Sequence, residues 1–158
     1  MKRKKNNIVS TNQEMEMFIR KNTVFYSENW KIHSNKVFKG WNFAACFFSF
    51  EWMLYRKLYM EAFFLNLAIR SISKIPNIFL SSIRISIFNF SLVDIVISII
   101  VGVIANTLYY NKYLRVLNSS IELSEEERYV ILKKKGGVNY LILLIYFVYV
   151  ALVLINRH

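Results

Sequence analysis

Five small or polar residues recur every four positions along a strongly apolar stretch of the chain. They are Asp94, Ser98, Gly102, Asn106 and Tyr110, and we call them the polar stripe. Residues four apart lie on one face of a helix, so their side chains share a broad face. In lipid, small and polar residues on one face let helices approach closely and hydrogen-bond. Because ionisable groups in membranes also face polar paths, we predict that the stripe mediates helix packing or lines a pore.

A second set of candidates consists of charged residues inside otherwise apolar segments. Such side chains pair with one another, reach the membrane surface or face water. Asp94 is the sharpest candidate, with Arg70 or Arg84 as its partner. Together with the polar stripe, these residues are predicted to pack helices or line a pore: Glu61, Arg70, Lys74, Arg84 and Asp94.

The residue patterns that mark common enzymes are missing from the sequence. It contains no Ser-His-Asp or Cys-His arrangement, no phosphate-binding loop and no HExxH motif. His33 and His158 are isolated from each other, and the single cysteine, Cys46, lies in an apolar run, which favours a packing role. We therefore predict a protein that is not an enzyme, with no catalytic residues, no metal site and no cofactor.

The distribution of charge indicates which elements position these residues. The chain has 158 residues, is 55% hydrophobic and carries a net charge of +11, which soluble domains rarely combine. Most basic residues lie in residues 1–40 and 111–137, whereas residues 138–156 carry no charge. This separation is typical of a small multi-pass membrane protein. It excludes an ordinary soluble enzyme, a disulfide scaffold and a disordered tail.

We predict an all-α, multi-pass helical membrane protein with about three transmembrane helices and one interfacial or re-entrant helix. Residues 1–40 form a basic, amphipathic cytosolic lead-in, which either packs on the protein or lies on the membrane surface. Residues 41–158 form the helical membrane domain. Its parts are an interfacial segment at 41–57, spans at about 58–80, 85–110 and 138–156, and a cytosolic loop with a short helix at 111–137. Residues 77–90 fit either an outer loop or a continuation of the next helix.

The short helix in the cytosolic loop has a strong signature. Ser124 is followed three residues later by Glu127, which predicts a capping box at the start of the helix. Lys133, Lys134 and Lys135 occupy its last turn, where cations favour the helix dipole, and Gly136 stands just beyond its end.

Aromatic and basic residues flank the predicted spans at positions suited to the membrane–water interface. The bias of Lys and Arg places the amino terminus and the 111–137 loop in the cytosol, and the carboxyl terminus outside. Heavy use of Lys, Asn, Ile, Phe and Tyr fits an AT-rich bacterial or phage genome. The predicted interface residues are Trp41, Trp52, Tyr55, Arg56, Lys57 and Tyr109.

Residues 41–59 resemble the signature that opens the membrane domain of a bacterial integral-membrane family of unknown function. The shared pattern is W-x-F-A-A-x-F-F, followed by W-x-L-Y-R-K-x-Y, with Ser49 and Phe50 where that family usually has Gly-Pro. The later A-N-T-L-Y-Y at 105–110 and the pair at 136–137 are also similar, so the resemblance covers residues 38–138. It implies a multi-pass helical fold and a bacterial origin, and it implies no activity.

These observations predict a non-enzymatic protein of the bacterial cytoplasmic membrane, acting as an oligomeric or partner-binding membrane subunit. The alternative is a pore- or channel-forming effector, holin-like or anti-phage, that permeabilises the membrane. The expected partners are a bilayer with anionic headgroups, which attracts basic segments, further copies of the chain, and a cytosolic protein. Nucleic acid would suit the basic lead-in, but no recognised nucleic-acid module supports it.

Overall fold

One long helix organises the part of the chain that the computed structural model describes, which is residues 12–32, 36, 39–73, 84–85 and 90–156. In chain order the elements are α1 (Asn12–Ile19), α2 (Thr23–Ile32), α3 (Phe43–Phe47), α4 (Ser49–Tyr55), α5 (Tyr59–Ser73), β1 (Arg84–Ile85), β2 (Phe90–Ser91), α6 (Leu92–Ser119), α7 (Glu125–Lys135) and α8 (Tyr140–Ile155). The fold of these residues is therefore helical apart from one pair of two-residue strands.

The long helix α6 has two halves with different surroundings. With 28 residues it is about 42 Å long at 1.5 Å per residue. Its first half exposes Val96, Ile99 and Ile100, whereas Tyr109 and Leu117 in its second half are completely buried. The predicted span ends at about residue 110, but the helix continues to Ser119, because its second half is packed against the amino-terminal helices.

The amino-terminal helices α1 and α2 pack on the protein. Their buried side chains are Met15, Phe18, Ile19, Tyr26 and Trp30, which join the same core as the second half of α6. Glu14 of α1 accepts an ion-pair hydrogen bond from Arg128 of α7 at 3.1 Å. Of the two arrangements predicted for the lead-in, packing on its own chain is the one found for these helices. We call α1, α2, α7 and the second half of α6 the head.

The segment between α2 and α6 differs in part from its prediction. β1 pairs with β2 in antiparallel register, so α6 begins at Leu92 and not at residue 85. α5 has 15 residues and is about 22 Å long, which is shorter than the roughly 30 Å hydrocarbon core. Residues 74–80, including Lys74, lie outside the described residues. The span at 58–80 therefore stays a prediction.

Two stretches of the described residues are long and apolar enough to cross a membrane. They are Asp94–Ser119, with a mean hydropathy of 1.4, and Glu125–Ile155, with a mean hydropathy of 2.6. The apolar part of the second is α8, and none of its 16 residues is buried. The side chain of Asn139 caps α8 by accepting a hydrogen bond from the backbone N–H of Ile142 at 3.2 Å.

The capping box at the start of α7 is confirmed. The Ser124 hydroxyl accepts a hydrogen bond from the backbone N–H of Glu127, and the Ser124 N–H donates to the Glu127 carboxylate at 3.2 Å. At the other end, Gly136 has an extended φ of −88°, whereas Gly137 has a left-handed φ of 69°. The residue that needs glycine for its backbone angle is therefore Gly137, one position after the glycine that the sequence pointed to.

Candidate functional site

The turn after α4 directs two adjacent basic residues to different surroundings. The N–H of Lys57 donates to the carbonyl of Leu54 at 3.0 Å, and the N–H of Leu58 donates to that of Met53 at 2.8 Å. This pair of bonds is a Schellman motif, with Lys57 at the left-handed position, φ 59°. As a result, Arg56 is buried within the chain and is 1% exposed, whereas Lys57 is only half-buried.

Three tyrosine rings surround the buried guanidinium of Arg56. Its Cζ lies 4.4 Å from the ring centroid of Tyr26, 5.0 Å from that of Tyr109 and 5.4 Å from that of Tyr55. Each distance is within the range of a cation–π contact, whose strength increases when water is excluded. The rings come from α2, α6 and α4, so Arg56 lies where these three helices meet. We call this arrangement the arginine cage.

The hydrogen bonds of Arg56 reach the end of α1. Its Nη1 donates to the carbonyl of Ile19 at 3.3 Å, and its Nη2 donates to the carbonyl of Lys21 at 3.0 Å. Carbonyl groups at the carboxyl end of a helix carry the negative end of its dipole, which favours a cation. Within the described part of the chain, no carboxylate forms an ion pair with Arg56. Carbonyl dipoles and tyrosine rings therefore compensate its charge, and together they fasten α1 to α4.

The Tyr55 ring of the cage remains uncharged at neutral pH. Burial, followed by the hydrogen bond to Tyr140, raises the pKa of Tyr55 to about 12. The phenol next to Arg56 is therefore protonated under physiological conditions. The guanidinium is always protonated, so the charge state of this pair does not change in the physiological pH range.

A second buried contact joins α6 to the residues before α3. The Nδ2 of Asn42 donates to the Oδ1 of Asn106 at 2.8 Å, and the Nδ2 of Asn106 donates to the carbonyls of Gly40 and Trp41 at 3.2 and 3.3 Å. Asn42 also caps α3, since its Oδ1 accepts from the N–H of Ala45 at 3.0 Å. Both amides are thus bonded on their donor and acceptor sides.

Gly102 allows this close approach. The N–H of Asn42 donates to its carbonyl at 2.9 Å. A Cβ at this position would lie 2.9 Å from the Cβ of Cys46 and 3.1 Å from the ring of Trp41. Within the polar stripe, Gly102 and Asn106 therefore pack against residues 41–46 of the same chain.

The remaining residues of the polar stripe have different surroundings. Asp94 and Ser98 are half-buried. The ring of Tyr110 packs edge-on against Trp30, with centroids 5.1 Å apart, and the Lys39 ammonium lies 4.8 Å from its centroid. The predicted pore-lining role of the stripe stays a prediction.

Two of the predicted intramembrane charges, Glu61 and Arg70, have described partners. Glu61 pairs with Arg115 at 2.6 Å. The exposed Arg70 donates from Nε to the Oδ1 of Asn66 at 2.8 Å, and Arg84 is part of β1. Lys74 lies outside the described residues.

The residues predicted at the membrane interface fall into two groups. Trp41, Tyr55 and Lys57 are partly exposed. Trp52, Arg56 and Tyr109 are buried in the chain, so their side chains contact protein. The ring of Trp52 packs edge-on against that of Tyr109, with centroids 6.3 Å apart.

The glycine pair after α7 receives the end of α1. The N–H of Gly137 donates to the carbonyl of Phe18 at 2.6 Å. A Cβ on Gly136 would lie 2.7 Å from the Phe18 ring and would collide with the Phe18 carbonyl oxygen. These two glycines therefore let the end of α1 pack closely against the end of α7.

Several residues of the site carry no sequence motif of their own. Tyr26, Asn42 and Tyr113 are buried partners that were not among the predicted site residues. For Tyr113 there is a signal, because it belongs to a second row at four-residue spacing on α6, one position before the polar stripe, that is buried throughout: Val101, Ala105, Tyr109, Tyr113 and Leu117. Among the described residues, no group of three or more His, Cys, Asp or Glu is placed to hold a metal ion.

The family described as "Protein of unknown function (DUF2628)" matches residues 5–115. The chain belongs to this family. The prediction of a family of unknown function is thereby confirmed. The DUF2628 match includes the whole arginine cage and the Asn42–Asn106 contact, and it ends before α7. No curated protein and no solved structure matches the chain.

Proposed function

We propose that this DUF2628 protein is a non-enzymatic subunit of the bacterial cytoplasmic membrane, which assembles with further copies or with a partner protein. The observation that carries the proposal is the exposure of α8, a helix of 16 residues with none of them buried. A helix that is apolar on all sides is stable only when lipid or protein covers it. Lipid is the natural cover, because α8 with its flanking residues reaches the length of a span.

The exposed side chains of two other helices support a membrane location. The first half of α6 presents Val96, Ile99 and Ile100 to its surroundings, and α5 presents Phe63 and Phe64. The head, in contrast, carries charged residues on its surface, with Glu125 and Lys133 among them. In the proposed orientation the head is cytosolic and the carboxyl terminus lies outside, as the bias of Lys and Arg predicts.

Extraction of bacterial membranes tests the membrane location. The wild-type chain should stay in the pellet after alkaline carbonate treatment, whereas the double variant Leu144→Arg with Ile145→Arg should be released. Both side chains are about three-fifths exposed on α8, and charge at the centre of a span is strongly unfavourable. Val130→Arg is the matched control, because Val130 is equally exposed but lies on the polar helix α7. Release of the wild type would overturn the proposal.

The role as a subunit is tested by native mass after solubilisation in detergent. A discrete oligomer, or a stable complex with another protein, supports the proposal, and a monodisperse monomer without a partner overturns it. A membrane-potential dye separates this role from that of a pore-forming effector. Sustained depolarisation when expression is induced would favour the pore, whereas an unchanged potential is expected for the subunit.

A further inference from the structure

A basic pocket lies beside the arginine cage, where the end of α4 meets α5 and α6. It has a volume of about 240 Å³, which is smaller than the roughly 300–1,000 Å³ of pockets for drug-sized ligands. A pocket of this size suits a small headgroup. Its lining residues are Lys57, Tyr59, Met60, Glu61, Lys112, Arg115 and Val116.

The pocket carries a surplus of positive charge. Of its three cations, Arg115 is paired with Glu61, the one carboxylate among the lining residues, at 2.6 Å. Within the described ranges, Lys57 and Lys112 form no ion pair. Two positive charges are therefore left without a counter-ion from the described part of the protein.

The two ammonium groups are held in place by backbone carbonyls. Lys112 donates to the carbonyls of Arg56 and Lys57 at 3.1 and 3.0 Å, and Lys57 donates to that of Lys134 at 3.1 Å. An ammonium group has three N–H donors, so these bonds use two donors of Lys112 and one of Lys57. One donor of Lys112 and two of Lys57 therefore remain for an anion.

Lys57 occupies a left-handed backbone position at the end of α4. A φ of 59° at the end of a helix favours glycine, and a lysine there is strained. The lysine thus occupies a position where its backbone conformation is unfavourable, and it is one of the residues that line the pocket. Burial, and then the nearby positive charge of Arg20, lower the pKa of Lys57. A bound anion would offset the effect of Arg20 on the pKa of Lys57.

The pocket lies level with the start of the apolar helix α8. The hydroxyl of Tyr59, which lines the pocket, accepts a hydrogen bond from the Nδ2 of Asn139 at 2.8 Å. The N–H of Asn139 donates to the carbonyl of Tyr55 at 2.9 Å. Lys112 also follows directly on the predicted end of the second span. If α6 and α8 cross the membrane, the pocket lies at the depth of the headgroups on the cytosolic side.

We propose that this pocket binds a phosphate group, supplied by the headgroup of an anionic phospholipid such as phosphatidylglycerol. The ammonium groups of Lys57 and Lys112 donate to the phosphate oxygens, as in the basic cytosolic-side pockets that bind lipid headgroups in other membrane proteins. Free phosphate has the same chemistry, and the experiment separates the two sources. The lipid assignment rests on the membrane location proposed above.

The test uses the purified full-length chain in a neutral detergent. Thermal unfolding is measured as phosphatidylglycerol or phosphatidylcholine is added. Phosphatidylglycerol should raise the unfolding temperature at far lower concentration than phosphatidylcholine. Lys57→Gly keeps the left-handed turn and removes the ammonium, so it should weaken this effect roughly five-fold, as expected for one surface cation near a lipid phosphate. Lys31→Gln, which removes one positive charge from α2, is the matched control. The stabilisation by phosphatidylglycerol should be the same in this variant as in the wild type.

A variant with the opposite expected effect separates binding from structural damage. Glu61→Gln removes the carboxylate of the pocket and releases Arg115, so phosphatidylglycerol should act at lower concentration than on the wild type. If Glu61→Gln only broke the Glu61–Arg115 ion pair, the variant would be less stable in both lipids and its apparent affinity for phosphatidylglycerol would not change. That result would contradict the proposal.

The remaining outcomes decide between the sources of the phosphate. The pocket would not be a specific site if both lipids raised the unfolding temperature equally. The same conclusion would follow if Lys57→Gly and Lys31→Gln weakened the effect of phosphatidylglycerol to the same extent. Stabilisation by inorganic phosphate at the same concentration as phosphatidylglycerol, lost in Lys57→Gly, would support the phosphate site and overturn the lipid as its source. Because this assay is performed in detergent, its result is independent of the carbonate extraction that tests the membrane location.

Discussion

Asn42 donates a hydrogen bond of 2.8 Å to Asn106, and both side chains are buried although 64 positions separate them in the chain. This bond connects the start of α3 to the middle of the long helix α6. It lies within the region matched by the DUF2628 family. Asn106 also binds two backbone carbonyls, so one side chain fixes the path of residues 40–42 on α6.

Replacing Asn106 by alanine should therefore destabilise the protein by about 2–3 kcal/mol, since it leaves buried polar groups without partners. A drop in the thermal unfolding temperature in detergent measures this effect. Asn111→Ala is the matched control, because Asn111 is exposed on the same helix. The double variant with Asn42→Ala and Asn106→Ala should lose less stability than the sum of the losses in the two single variants. Strictly additive losses of stability would contradict direct coupling of the two side chains.

Gly136→Ala should detach the end of α1 from the end of α7. The new methyl group meets the Phe18 carbonyl oxygen, which is backbone and cannot rotate away, and such overpacking costs about 1–3 kcal/mol. Hydrogen exchange in Asn12–Ile19, followed by mass spectrometry, should become faster. Lys135→Ala, at the exposed neighbouring position, should leave the exchange of α1 as in the wild type. Unaltered exchange in Gly136→Ala would show that α1 does not depend on this contact.

Arg56→Lys should loosen the same helix although it keeps the positive charge. A lysine ammonium does not reproduce the planar guanidinium that contacts both carbonyls and three tyrosine rings. Hydrogen bonds from charged groups contribute about 1.5–3 kcal/mol each, so exchange in α1 should rise at least about tenfold. Arg70→Lys on the exposed face of α5 is the control. Wild-type exchange in Arg56→Lys would mean that charge alone holds α1.

Acid should weaken the start of α7 through Glu127. Hydrogen bonds from the hydroxyl and then the backbone of Ser124 lower the pKa of Glu127. A lowered pKa in the folded state means that the cap stabilises the helix above the unfolded pKa, and that this stability is lost as the pH falls through the folded value. Hydrogen exchange at Glu125–Lys135, corrected for the intrinsic rate, should become less protected below about pH 4.5. In Glu127→Gln this dependence on pH should be much smaller.

Local signals in the sequence predicted the local structure well. The spacing of Ser124 and Glu127 sufficed for the capping box, because both bonding partners lie within one helical turn. The apolar run at 138–156 likewise predicted α8, whose bounds are Tyr140–Ile155. Both predictions depend on residues close together in the chain.

Long-range packing explains where prediction failed. The charges Lys112 and Arg115 suggested a loop after residue 110, but α6 continues because Tyr113 and Leu117 are buried in the core that α6 shares with the amino-terminal helices. Arg56 was predicted at the membrane interface because it follows an apolar run, and no local pattern indicated that it would be buried within the protein. Its burial depends on tyrosines and carbonyls from α1, α2 and α6, whose convergence is a property of the tertiary fold.

Because α6 is continuous, the orientation of the head depends on what surrounds the apolar first half of this helix. The helix has no proline and no break between Val101 and Leu117, so its two halves share one axis. Membrane helices tilt when the thickness of the bilayer differs from their apolar length. Any such tilt of the exposed half rotates the aromatic head by the same angle, since there is no hinge between them.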